Sequence, residues 1–119
     1  MKSVFLLAFI SFSLVSLSQI PKSGIYIYKY CDHEYNQCLS TCKVVIKGNY
    51  ITVYATKDLA EQRTFTKEGD IIDKGIILKH KSGKWIIGKS RKDINAREIG
   101  GCSEGPREID FRRKRFWTC

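Results

Sequence analysis

Cys42-Lys43-Val44-Val45-Ile46-Lys47-Gly48-Asn49-Tyr50-Ile51-Thr52-Val53-Tyr54-Ala55 is the stretch on which the fold turns. Gly48-Asn49 stands between two runs of β-branched and aromatic residues, and such a pair suits a two-residue hairpin loop. Folded there, the chain sets Lys47 opposite Tyr50, Ile46 opposite Ile51, Val45 opposite Thr52, Val44 opposite Val53 and Lys43 opposite Tyr54. Directly opposed residues share a face of the sheet. One face is therefore Val44, Ile46, Ile51 and Val53, wholly apolar. The other carries Lys43, Lys47, Tyr50 and Tyr54, where an ammonium group over a tyrosine ring contributes about 0.5–1 kcal/mol. A slip of one residue would turn the apolar set to water, so the register is well determined.

Upstream, residues 24–31 alternate: Ile25, Ile27, Lys29 and Cys31 fall to one side, Tyr26, Tyr28 and Tyr30 to the other. That is a strand with an aromatic face. Downstream, residues 56–74 alternate poorly and are rich in Lys, Glu and Asp; with the turn Glu68-Gly69-Asp70 they read as a surface loop, holding at most a short strand at 63–66. Residues 75–89 repeat the hairpin logic. A turn at Ser82-Gly83 places His80 opposite Trp85, Leu78 opposite Ile87, Lys79 opposite Ile86 and Lys81 opposite Lys84, giving one apolar and one cationic face. Asp93 can cap a short helix over 94–99 that Gly100-Gly101 ends. Residues 108–111 and 116–119 complete the series as two strands joined through Arg112, Arg113, Lys114 and Arg115. Roughly six to eight short strands with at most one short helix predict an all-β fold, antiparallel hairpins forming a small barrel or sandwich.

The whole chain has 119 residues, with 21 Lys+Arg against 12 Asp+Glu. Residues 1–18 read as a removable signal peptide: Lys2 opens it, an apolar run follows, and Ser16-Leu17-Ser18 offers small residues at the cleavage positions. A retained anchor needs about 20 predominantly apolar residues, more than this serine-broken run provides. Residues 19–119 are then expected as a single β-rich, disulfide-bonded domain, secreted or periplasmic, with no integral membrane segment after the leader is removed. The length excludes a doubly wound nucleotide-binding domain and an eightfold β/α barrel.

Export sets the reading of the five cysteines, Cys31, Cys38, Cys42, Cys102 and Cys119. Their odd number allows at most two bridges within the chain and leaves one thiol over. Cys102 and Cys119 bracket the last hairpin and are expected to pair. Of Cys31, Cys38 and Cys42, two form the second bridge: Cys31–Cys38 would close a polar loop, and Cys31–Cys42 would tie the end of one strand to the start of the next. The remaining cysteine could link two chains. Cys31, His33, Cys38 and Cys42 could instead ligate a metal, but their spacing matches no familiar zinc pattern and thiols oxidise outside the cell, so no metal site and no cofactor is expected.

Gly83-Lys84-Trp85-Ile86-Ile87-Gly88-Lys89-Ser90 satisfies the phosphate-loop pattern. A phosphate cradle needs a loop of inward-pointing amides, whereas Lys84-Trp85-Ile86-Ile87 is the β-bonded return arm of a hairpin, so no nucleotide is expected. His33 beside Glu34, with His80, could supply the acid and base of a small secreted hydrolase of ribonuclease type, should the two histidines share a cleft. The simpler expectation is His80 packed and hydrogen-bonded beside Trp85, and His33 solvated in its polar loop.

Charge is the most informative functional feature. Residues 19–78 hold eight basic and seven acidic groups, residues 79–119 twelve and five. Lys79, Lys81 and Lys84 surround one hairpin tip, Lys89, Arg91 and Lys92 follow it, and Arg112, Arg113, Lys114 and Arg115 form a second tip, with Trp85 and Trp117 adjacent in sequence. Such groups attract and stack on polyanions or acidic proteins. The reading favoured is a non-catalytic binding module for a polyanion or an acidic partner through this basic C-terminal half, with the hydrolase, or an inhibitor of an acidic secreted protein, as alternatives.

Gly75-Ile76-Ile77-Leu78-Lys79-His80 through Gly88, then Glu98-Ile99-Gly100-Gly101-Cys102-Ser103-Glu104-Gly105-Pro106, and Ile109-Asp110-Phe111 with Phe116-Trp117-Thr118-Cys119, resemble a group of small exported bacterial proteins of no known function. The resemblance implies a bacterial, exported chain and supplies no catalytic residue, ligand or partner.

Overall fold

Where apolar residues alternate or cluster, strands form: β1 (Gly24–Asp32), β2 (Gln37–Lys47), β3 (Tyr50–Ala55), β4 (Ile71–Lys79), β5 (Trp85–Gly88), β6 (Arg107–Asp110) and β7 (Arg115–Thr118). This is a computed structural model that describes residues 20–119; the expected signal peptide lies outside the described residues. The seven strands follow chain order around a closed barrel, each antiparallel to the one before. An odd count returns the last strand alongside the first in the same direction, so β7 pairs in parallel with β1 from Lys29↔Arg115 to Asp32↔Thr118. The all-β small barrel is thus the fold. Its core is the set of inward residues that alternation selects, including Tyr28, Val44, Ile46, Ile51, Val53 and Phe116.

β2 and β3 pair in the register expected, Lys47↔Tyr50 through Lys43↔Tyr54, and Lys43 Nζ lies 5.0 Å from the Tyr54 ring centre. Gly48 has φ 60°, which suits the first position of a tight hairpin turn. The second hairpin departs from expectation by one residue: Leu78 pairs with Ile86 and Lys79 with Trp85. His80 faces Lys84 across a three-residue loop, the His80 amide donating to the Lys84 carbonyl and the Gly83 amide to that of His80. Gly83 takes φ 93°, the left-handed residue that a three-residue hairpin loop requires. Ile77 and Ile87 consequently share the barrel interior, while Leu78, His80 and Ile86 are buried on the outer side. Gly75 admits the closeness of these strands, since a Cβ there would stand 2.2 Å from the Gly88 carbonyl oxygen.

Residues 56–74 are more ordered than a loop. They hold a short helix, α1 (Lys57–Gln62), and the start of β4, with no strand at 63–66. Thr56 caps α1 by accepting from the Leu59 amide at 3.2 Å and holds it to β2 by donating to the Thr41 carbonyl. Leu59 is buried in the barrel core. The helix expected over 94–99 is instead a 3-10 turn, Arg91–Asn95, and Asp93 is its third residue, reaching back to the Ser90 and Lys89 amides.

Strand directions fix two ends. The turns at 48–49, 81–83 and 111–114 gather at one, the turn end. At the other lie the 33–36 turn, the segment bearing α1, the departure of the 89–106 connection and the C-terminus. Both disulfides, Cys31–Cys38 and Cys102–Cys119, sit at this second, stapled end.

Candidate functional site

Barrel direction divides the predicted basic set between these ends. Lys81, Lys84, Arg112, Arg113 and Lys114 stand on two turns of the turn end, with Lys79 and Arg115 on the strands that lead into them. Lys79 Nζ lies 5.5 Å from the Trp85 ring centre. Asp110, the acidic group closest in sequence to the 112–115 cluster, spends one carboxylate oxygen on the Arg112 and Arg113 amides at 3.0 and 2.9 Å. Lys89 belongs to the stapled end, and Arg91 and Lys92 are exposed on the 3-10 turn that leaves it. Lys89 is thus drawn to the stapled end, whereas the 3-10 segment that bears Arg91 and Lys92 runs back to the 81–83 turn, where the Lys81 amide donates to the Ile94 carbonyl at 3.0 Å.

At the stapled end Lys89 and Arg107 are paired with one acid. Asp73 replaces an apolar residue on the inward face of β4, opposite Val53, and its side chain is only 7% exposed. Lys89 Nζ approaches one oxygen at 2.9 Å and Arg107 Nη1 the other at 3.4 Å. The Lys74 amide adds a third donor at 2.8 Å, and Lys89 also donates to the Lys74 carbonyl. A buried carboxylate held by two cations and an amide is satisfied. An open cavity of about 610 Å³ lies over it, walled by the loop Gly100-Gly101 to Pro106 that Cys102–Cys119 ties down. Neither Asp73 nor Arg107 is singled out by sequence reasoning; the available sign is a lone acid at an inward position of an isoleucine-rich strand.

A second depression, about 360 Å³, runs over the outer wall of β5–β7 between His33, Lys84, Glu108, Asp110, Arg113 and Trp117. His33 is half-buried rather than solvated: its ring stacks on Trp117 at 4.3 Å between centres, and its Nε2 is buried without a hydrogen-bond partner among the described residues. Lys84 Nζ meets the Glu108 carboxylate at 3.3 Å across the depression. Glu34 is exposed on the 33–36 turn, its amide donating to Asp32. His80 is elsewhere, 6% exposed, with Nδ1 bonded to Ser82 Oγ at 2.9 Å and Nε2 to the Ala96 carbonyl at 2.8 Å. Both of its ring nitrogens are taken, so it clamps the 3-10 segment to the barrel and offers no free site to a substrate. His80 also does not lie opposite Trp85, a consequence of the one-residue register difference.

Cys31 pairs with Cys38, resolving the alternative left open by spacing, and Cys102 pairs with Cys119. Cys42 is the remaining thiol. It sits wholly inside the barrel, where burial pushes its pKa up to about 12, so it is a neutral core group rather than an accessible link between chains. Its register partner Tyr28 is likewise raised to about 12, chiefly by burial. The phosphate-loop pattern falls on the β5 strand, as its side chains imply. Among the described residues no group of three His, Cys, Asp or Glu side chains stands close enough to hold a metal.

These features define a class: a small β-barrel with both disulfides and a buried, ion-paired acid at one end and two basic turns at the other. Comparison with models of known families, with curated proteins and with solved structures finds no match. The likeness noted in residues 75–119 therefore rests on those residues alone. Two disulfides fit an oxidising extracellular environment, and among the described residues no helix is long and apolar enough to cross a membrane.

Proposed function

We propose that the protein is a secreted or periplasmic, non-catalytic binding module that takes a polyanion or an acidic partner on its turn end. One observation carries this reading. Strand directions bring two basic turns, 81–84 and 112–114, distant in sequence, to the same end of the barrel, while the buried acid of the molecule is occupied at the opposite end. Lys84 meets Glu108, while Lys81, Arg112, Arg113 and Lys114 have no carboxylate partner among the described residues; such exposed cations create a field that attracts anions and add little to stability.

Heparin chromatography tests it. The protein is expected to elute above physiological ionic strength, about 0.15 M. A variant carrying Arg112→Ser, Arg113→Ser and Lys114→Asn should elute at distinctly lower salt with an unchanged urea midpoint; asparagine is chosen because Lys114 has φ 57°. Release of the unaltered protein below physiological salt would overturn the reading.

A further inference from the structure

The barrel is closed along only part of β1. β2 accompanies β1 from Gly24 to Asp32, but pairing with β7 begins at Lys29, so, among the described residues, 24–28 have a strand on one side and none on the other. The Lys29 amide donates to the Lys114 carbonyl on the β7 side. Backbone groups alternate along a strand, so the amides and carbonyls of Ile25 and Ile27 face the same side, where no ladder partner is present among the described residues. Their side chains stand on the outer wall and are 69% and 59% exposed. An uncovered strand edge with exposed alternating isoleucines is a template for another strand, and soluble proteins ordinarily blunt such edges.

Beside the gap the barrel presents half-buried aromatic groups. Phe111 packs edge-on against both Tyr28 and Trp85, at 6.4 and 5.8 Å between ring centres. At its lower end the gap meets Lys29 and the 112–115 cluster, so an acidic segment suits it and a second copy of this basic chain would bring like charges together. We infer that residues 24–28 of β1 receive an extended, acidic polypeptide segment by strand addition, with apolar residues alternating with carboxylates. This rests on the proposed function, deepening it by naming a protein strand as the partner. Main-chain bonds to Ile25 and Ile27 supply affinity, and the alternating side chains supply selectivity.

The probe is a synthetic eight-residue Val-Glu repeat, beside the same peptide N-methylated at alternate residues, which keeps charge and side chains but lacks the amide donors. With the unaltered protein, the unmethylated peptide should bind at least about tenfold tighter, and hydrogen exchange at the Ile25 and Ile27 amides should slow on its addition. Ile27→Pro removes one edge amide while leaving the β2-facing groups of Tyr26 and Tyr28, and proline is tolerated where an edge amide faces solvent. That variant should fold, lose the peptide and keep its heparin retention. Equal binding of the two peptides, unchanged exchange at Ile25 and Ile27, or failure of Ile27→Pro to fold would each overturn the strand site. So would protection of those amides in a peptide-free dimer, which would assign the edge to a second copy. Heparin retention without peptide binding removes the strand site and leaves the cationic turn end standing; peptide binding without heparin retention does the reverse.

Discussion

The stapled end and the turn end are built from the same kinds of residue and use them oppositely. At the stapled end a buried carboxylate, Asp73, recruits Lys89 and Arg107, two disulfides close the adjoining turns, and α1 buries Leu59 in the core. At the turn end, among the described residues, no disulfide is present, Arg112, Arg113 and Lys114 are exposed, and part of β1 lacks a second neighbouring strand. A cation's role here depends on whether a carboxylate is buried beside it, which sequence proximity does not reveal. One end engages Asp73, Lys89 and Arg107 in holding the barrel together, and the other leaves Arg112, Arg113 and Lys114 exposed to solvent.

Three measurements press on that division. The largest effect is expected from replacing Cys102 and Cys119 together by serine, which should lower stability in urea by about 3 kcal/mol while leaving heparin retention intact. A parallel fall in retention would show that the ends are not independent. Next, Lys89→Met with Arg107→Met leaves Asp73 buried with only the Lys74 amide as donor. Unfolding should become easier by about 2 kcal/mol, more than in Asp73→Asn, because the two cations are 68% and 43% exposed and can return to water. Equal losses in the two variants would count against a structural pairing.

The smallest effect concerns the band between the ends, where Tyr28 and Cys42 are register partners. Each stays protonated in the folded barrel up to about pH 12, whereas the unfolded groups ionise from their ordinary values of 10.0 and 9.0. Their contribution is complete below those ordinary values and is lost as pH rises through the window to 12. Near pH 10 the thiol accounts for about 1 kcal/mol of that loss. Urea titrations between pH 8 and 10.5, on the order of one pH unit either side of the thiol's ordinary range, should therefore show a shallower decline for Cys42→Ala than for the unaltered protein. Identical slopes would mean that the thiol is not sealed.

Legibility in the sequence followed how many faces of a strand are buried. β2 and β3 have one apolar face each, so alternation and the Gly48-Asn49 turn specify every pair. β4 and β5 are buried on both: Ile77 and Ile87 point into the barrel, and Leu78 and Ile86 lie buried outside it. Ile76, Ile77 and Leu78 run against Ile86 and Ile87 without alternation, so hydrophobicity alone does not choose between two registers, and Gly83 at positive φ marks the longer loop. α1 escaped because it is six residues long with one buried side chain, too short to display a helical period. The division of the cations was hidden for a related reason. Lys89 is continuous in sequence with the basic run, but a four-residue strand carries it to the far end, beside an acid whose inward orientation only the β3–β4 register defines.

The parallel β1–β7 seam has a consequence for how the molecule assembles. Every other pairing joins neighbours in the chain and can form as soon as both strands exist. Zipping Lys29 against Arg115 must wait for the final segment, and so distant a contact is the slow step in β topologies. The nascent polypeptide therefore stays an open, bendable ribbon until its tail arrives.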